Sequence, residues 1–106
     1  MEQKKRFGLV GRNISYSFSQ GYFTSKFEKL GLKNHSYENF DLPHIGEIQN
    51  LLKNNSDLGG LNITIPYKEE VVPFLDSLSK KAKKIGAVNT VKFTKRGFKG
   101  YNTDVY

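Results

Sequence analysis

The nine residues Gly60-Leu61-Asn62-Ile63-Thr64-Ile65-Pro66-Tyr67-Lys68 constrain this chain more tightly than any other stretch. Leu61, Ile63 and Ile65 alternate with Asn62 and Thr64, so a strand here turns three apolar groups to a core and an amide and a hydroxyl to the other side. Pro66 stops the strand. Its restricted φ and missing N–H suit the first position of a helix, which puts Lys68 in the first turn, where the helix dipole is positive and a cation is electrostatically disfavoured. A lysine held there, next to the polar side chains of the strand, reads as the floor of a polar binding site.

A chain of 106 residues, 37% hydrophobic and 13% aromatic, can bury one core of ordinary size, so a single domain over 1–106 is expected. The absence of cysteine excludes a disulfide framework, a thiolate metal site and a cysteine nucleophile, and fits a reducing compartment. The apolar run from Phe7 to Val10 is too short for a signal peptide and no run approaches membrane-spanning length, so a cytoplasmic protein with no membrane partner is expected. His35 and His44, far apart and without cysteine, make no metal site.

Helix-like and strand-like patterns alternate along the chain. They predict one three-layer α/β domain: a mostly parallel, twisted sheet of about six strands, helices on both faces and a C-terminal antiparallel hairpin. Strands are expected at Arg6 to Val10, Leu32 to Phe40, Leu58 to Ile65, Ala87 to Thr94 and Phe98 to Tyr101. Phe23, Phe27 and Leu30 recur at helical spacing, closed by Gly31. Asp41 is placed to cap a helix with Pro43 in its first turn and Ile45, Ile48, Leu51 and Leu52 as the buried stripe. After an interruption at Pro73, Leu75, Leu78, Ala82 and Ile85 predict a further helix ended by Gly86. Lys95-Arg96-Gly97 has the composition of a hairpin turn with glycine at the left-handed position.

The formal charge is +7, and its distribution is uneven. Between Ser77 and Thr103 there is no Asp or Glu, while Lys80, Lys81, Lys83, Lys84, Lys92, Lys95, Arg96 and Lys99 all lie there. This run reads either as a solvated helix face with a charged hairpin tip or as a surface with an anionic neighbour.

Four polar clusters fall at or just beyond strand ends, where open α/β sheets build their sites. They are Ser15-Tyr16-Ser17-Phe18-Ser19, Asn62 to Lys68, Gly86-Ala87-Val88-Asn89-Thr90 and Gly100-Tyr101-Asn102-Thr103-Asp104. Taken singly, each has an ordinary structural explanation in turn chemistry, solvation or capping. A polar triplet directly off the last strand is an unusual finish for a domain, so the chain is expected to be the first part of a longer protein.

In this order and spacing the four clusters resemble the N-terminal, substrate-binding domain of the shikimate dehydrogenase family. That family carries a Ser-x-Ser loop, a Gly-x-Asn-Val-Thr-x-Pro-aromatic-Lys strand, a Gly-Ala-Val-Asn-Thr segment and an Asn-Thr-Asp triplet, and the match runs through the whole chain. The resemblance implies that Ser17 and Ser19 bind the substrate carboxylate. It puts Asn62, Thr64, Asn89 and Asp104 around the ring hydroxyls and makes Lys68, with Asp104, the catalytic pair. It implies NADPH-dependent, reversible reduction of 3-dehydroshikimate to shikimate in chorismate and aromatic amino-acid biosynthesis. It also allows a homodimer of the full-length protein. Two departures stand out: Tyr16-Ser17-Phe18-Ser19-Gln20 replaces the usual His-Ser-Leu-Ser-Pro, and Lys80 stands near a position that is often acidic.

The residues fit that chemistry on their own terms. Hydride delivery to a ketone builds negative charge on oxygen, so a nearby ammonium stabilises the alkoxide and supplies a proton. No two of the ten glycines stand two residues apart, so no dinucleotide phosphate loop is present. NADP is therefore expected to be bound mainly by a separate nicotinamide-binding domain, the acid-free basic stretch is expected near the intervening cleft, and this chain alone is expected to be inactive. A quinate/shikimate dehydrogenase is the nearest alternative. A basic, non-catalytic module that contacts phosphate is the alternative of another class, against the expectation of no nucleic-acid partner.

Overall fold

The computed structural model describes residues 5–14, 19–31, 35–55 and 57–104. Among them six strands form one sheet: β1 (Lys5–Gly11), β2 (His35–Asp41), β3 (Leu58–Ile63), β4 (Ser77–Leu78), β5 (Thr90–Thr94) and β6 (Gly97–Tyr101), in the order β2-β1-β3-β5-β6-β4. β1 pairs in parallel with β2 and β3, β4 in parallel with β6, and β5 runs antiparallel to both β3 and β6. Because β5 is reversed, its first residue lies at the same edge of the sheet as the last residues of β1, β3 and β6.

Helices cover both faces. On one side α1 (Ser19–Lys29) lays Phe23 and Phe27 over Phe7, Leu9 and Tyr37, with Ile14 in the same cluster. On the other, α2 (Ile48–Asn54), α3 (Tyr67–Glu70) and α4 (Lys80–Ile85) enclose the larger core. Ile48, Leu52, Tyr67, Val71 and Ala82 pack there against Val10, Leu61, Ile63 and Val91 of the strands. The period of two in β1 and β3 serves both layers at once.

Local signals hold where the chemistry is local. Gly31 and Gly86 adopt positive φ, 71° and 79°, at the ends of α1 and α4, and Gly97 has φ 113° where β6 begins. Ser79 caps α4 by accepting from the Ala82 N–H at 3.2 Å.

Other expectations fail. Leu75 and Leu78 are not on the helix of Ala82: Leu75 is extended and Ser77 and Leu78 pair with Lys99 and Gly100 of β6. Backbone bonds from Asp76 N–H to the Phe98 carbonyl and from Ser79 N–H to the Gly100 carbonyl, both 2.9 Å, draw this segment into the sheet. Gly100 makes room for it, since a Cβ there would lie 2.7 Å from Leu75 Cδ1 and 3.0 Å from Leu78 Cδ2. β3 ends at Ile63, and Ile65 is 73% exposed instead of buried. Leu30 is exposed too, beyond the reach of the sheet. Pro66 precedes α3, after a cis Ile65–Pro66 bond, instead of opening it. Asp41 does not cap the helical segment that follows it, whose N-cap is His44, and its carboxylate accepts from the backbone N–H groups of Asn13 (2.9 Å) and Ile14 (3.1 Å), fixing the turn after β1.

Candidate active site

The shared edge of β1, β3, β5 and β6 is where the polar clusters meet. Beyond β3, the Thr64 N–H donates to the Val10 carbonyl at 2.9 Å and the Thr64 carbonyl accepts from the Tyr67 N–H at 3.0 Å. These two bonds turn the chain into α3, so that Lys68 follows one residue after the buried Tyr67 anchor. The Tyr67 hydroxyl donates to the Leu42 carbonyl, and burial pushes its phenol above the usual range, partly offset by the nearby Arg12 charge. Gly11 leaves room for Thr64, because a Cβ at Gly11 would meet Thr64 Cγ2 at 2.6 Å.

Lys68 is partly buried, and its carbonyl accepts from the Val88 N–H at 2.7 Å. That bond places the lysine backbone one residue from Asn89. The Asn89 backbone is itself tied across the sheet, donating to the Tyr101 carbonyl at 3.0 Å and accepting from Ile63 N–H at 2.8 Å. Its carboxamide then gathers the segment after β6. Nδ2 donates to Thr103 Oγ1 at 3.0 Å and to Asp104 Oδ1 at 3.1 Å, while Oδ1 accepts from the Thr103 N–H at 3.0 Å and from Thr90 Oγ1 at 3.0 Å.

Asn102, 6% exposed, completes the clamp: its Nδ2 donates to the Ala87 carbonyl at 3.2 Å and its Oδ1 accepts from the Asp104 N–H at 3.0 Å. Lys81 Nζ donates to the Asp104 carbonyl. The carboxamides of Asn89 and Asn102 are thus bonded within the protein and tie the segment after β6 to the start of β5.

Asn62 lies one strand away, and its Nδ2 donates to the Tyr37 hydroxyl at 2.9 Å. Burial raises the Tyr37 phenol above its usual range, and this hydrogen bond opposes the shift. Asn62 and Thr90, register partners across β3 and β5, also line an apolar groove of about 450 Å³ bounded by Phe7, Phe23, Phe27 and Tyr37. Ser19 opens α1. Ser17 lies outside the described residues.

Thus Thr64, Lys68, Asn89 and Asp104 come from three segments to one edge, while Asn62 reaches the same edge from within β3. Sequence reading missed Tyr37, Asn102 and Thr103 as partners. Tyr37 has no local signal, but the other two stand in the Asn-Thr-Asp triplet and were within reach.

The family model for the shikimate dehydrogenase substrate binding domain matches residues 9–91. The chain belongs to this family. A shikimate dehydrogenase (NADP(+)) of Chlorobaculum tepidum is 45% identical over 106 residues, covering 98% of this chain and 36% of that protein. One from Methanopyrus kandleri is 41% identical over 99 residues, covering 92% and 33%. The chain thus spans about a third of the curated family members it matches. Among solved structures, a Listeria monocytogenes shikimate 5-dehydrogenase in complex with shikimate and NAD superposes with a TM-score of 0.85 at 30% identity, over 98% of this chain and 36% of that one. A Thermus thermophilus shikimate 5-dehydrogenase in complex with shikimate gives 0.82 at 36% identity, over 92% and 38%.

The basic stretch of this family member is divided by the fold. Lys81 reaches Asp104 at the polar edge, whereas Lys95 and Arg96 form the β5–β6 turn at the opposite edge of the sheet. The hairpin tip therefore does not belong to the edge that gathers Lys68 and Asp104.

Proposed function

We propose that this chain is the substrate-binding part of a cytoplasmic shikimate dehydrogenase and carries its acid/base residues, acting with a nicotinamide-binding domain that these 106 residues do not contain. The reaction is the reversible, NADP-dependent reduction of 3-dehydroshikimate to shikimate, a step toward chorismate and the aromatic amino acids. The observation that carries this reading is the Asn89 carboxamide, which holds Asp104 at 3.1 Å beside the peptide that bonds Lys68. Relatives named shikimate dehydrogenase (NADP(+)) and solved neighbours that hold shikimate support it.

In this reading Lys68 gives its proton to the carbonyl oxygen of 3-dehydroshikimate as negative charge builds there, and takes it back in the reverse direction. Asp104 keeps the ammonium close and accepts from a ring hydroxyl. Asn62, Thr64 and Asn89 pair with further hydroxyls, so an analogue lacking one leaves a polar group unpaired. Ser17 and Ser19 bind the carboxylate through hydroxyl donors. NADP supplies the hydride when bound. With no two glycines two residues apart to cradle its phosphates, this chain leaves that task to the other domain.

The test is kinetic. In the two-domain protein Lys68→Ala is expected to lower kcat by about 10²-fold or more with a smaller change in KM. A large rise in KM with unchanged kcat refutes the acid/base role. Titration of this chain with shikimate, followed by amide NMR, is expected to move Thr64, Lys68, Asn89 and Asp104, and shifts confined elsewhere refute the site.

A further inference from the structure

The turn of the β5–β6 hairpin collects charge of one sign. Lys92 and Lys99 stand directly opposite one another on β5 and β6. Their ammonium groups lie 5.5 Å and 5.4 Å from the centroid of the same ring, Tyr101. Lys95 and Arg96 form the turn itself. Like charges paired across adjacent strands repel and destabilise a sheet, and no acid between Ser77 and Thr103 separates these. The electron-rich ring of Tyr101 attracts both ammoniums and offsets part of that repulsion.

Beside them is a recess of about 580 Å³ lined by Thr94, Lys95, Arg96, Lys99, Tyr101 and Asp76. Asp76 also lines the recess and brings one negative charge, its Oδ2 accepting from the Phe98 N–H at 2.8 Å, so against Lys95, Arg96 and Lys99 the lining keeps a net positive charge. A recess of this volume suits a small molecule better than a macromolecular surface.

We propose that this recess, with Lys92 at its margin, binds a small, multiply charged anion of phosphate chemistry. The ammoniums of Lys95 and Lys99 in the recess, that of Lys92 at its margin and the guanidinium fork of Arg96 are the donors that such an oxyanion recruits. The ligand also relieves the repulsion between Lys92 and Lys99. Lys95 and Arg96 form the turn at the edge opposite Lys68, Asn89 and Asp104, and the recess runs from there along β6 to Tyr101, so its cations are centred away from the residues assigned to the shikimate chemistry.

Pyrophosphate and inorganic phosphate, titrated into this chain at low salt and followed by amide NMR, test the proposal. Saturable shifts across residues 92–101, with Thr64, Lys68 and Asp104 unmoved, are expected. Lys99→Gln is expected to weaken pyrophosphate about fivefold or more, and Lys99→Arg to retain it. Thermal unfolding supplies the control, because Lys99→Gln relieves a like-charge pair and its Tm is expected to hold or rise. Non-saturating shifts, equal binding by Lys99→Gln, or a fall in its Tm would overturn the proposal. So would an oligonucleotide that binds far more tightly than pyrophosphate at equal phosphate concentration, since the surface would then be a track for polyanions.

Discussion

Asn89 Nδ2 donates to Asp104 Oδ1 at 3.1 Å, a contact between residues fifteen positions apart that fastens the segment after β6 to the start of β5. The same carboxamide accepts from the Thr103 N–H at 3.0 Å, so one side chain serves both a carboxylate and a backbone donor.

Asn89→Ala removes these bonds together and leaves Thr103 and Asp104 to water. A loss of about 1–2 kcal/mol is expected, read from urea unfolding of this chain. Asn89→Asp should cost more, because it sets a second carboxylate against Asp104. Unchanged stability in both variants would mean that the bonds of Asn102 and Lys81 hold the segment without Asn89.

Gly11 is required by the approach of Thr64. A Cβ at Gly11 would meet Thr64 Cγ2 at 2.6 Å, Ile14 Cγ2 at 3.0 Å and the Ile65 carbonyl at 3.1 Å. Gly11→Ala is expected to destabilise by about 1–3 kcal/mol through overpacking. Adding Thr64→Ser takes away the clashing methyl and is expected to recover part of that loss. Recovery by Thr64→Ser is the decisive reading, and its absence would place the strain on the backbone instead.

Alkaline pH should weaken the fold through two phenols. Burial raises Tyr37 above its ordinary value, opposed by the Asn62 hydrogen bond, and burial likewise raises Tyr67, opposed by Arg12. With the folded values above the unfolded ones, the contribution is whole below about pH 10 and is lost as pH rises from there through the folded values. Tm should therefore fall over that interval, and Tyr37→Phe should shallow the slope. A slope unchanged by Tyr37→Phe would assign it to other groups.

Much of this was legible in the sequence because its causes are local. Gly31, Gly86 and Gly97 announced chain reversals that only a residue without Cβ takes easily. The alternation at Leu61 to Ile63 announced a strand with those two apolar groups in the core, and the stripe of Ile48 and Leu52 announced a buried helix face. Leu75 and Leu78 were misleading. Their spacing is helical, yet the free edge of β6 offered backbone hydrogen bonds that the local pattern does not record. Asp41 was misread for a similar reason, since its acceptors were taken by Asn13 and Ile14 from a distant turn.

At the site the same division holds. The order of the four polar clusters carried the resemblance to the family, and through it the expectation of a hydroxylated acid as ligand with Lys68 as the proposed proton donor. Nothing in the linear order joined Asn62 to Tyr37, or made Asn89 the fastener of Asp104. The first depends on the parallel pairing of β1 with both β2 and β3, and the second on the reversal of β5, which brings its first residue to the edge where β1, β3 and β6 end. The amino-acid sequence alone determined which groups exist and which short segments turn, cap or extend, because those preferences are settled within a few bonds. Only the tertiary structure decided which groups meet and which cations are parted, Lys81 at one edge and Lys95 and Arg96 at the other, because strand order and direction are set by burial of the whole sheet.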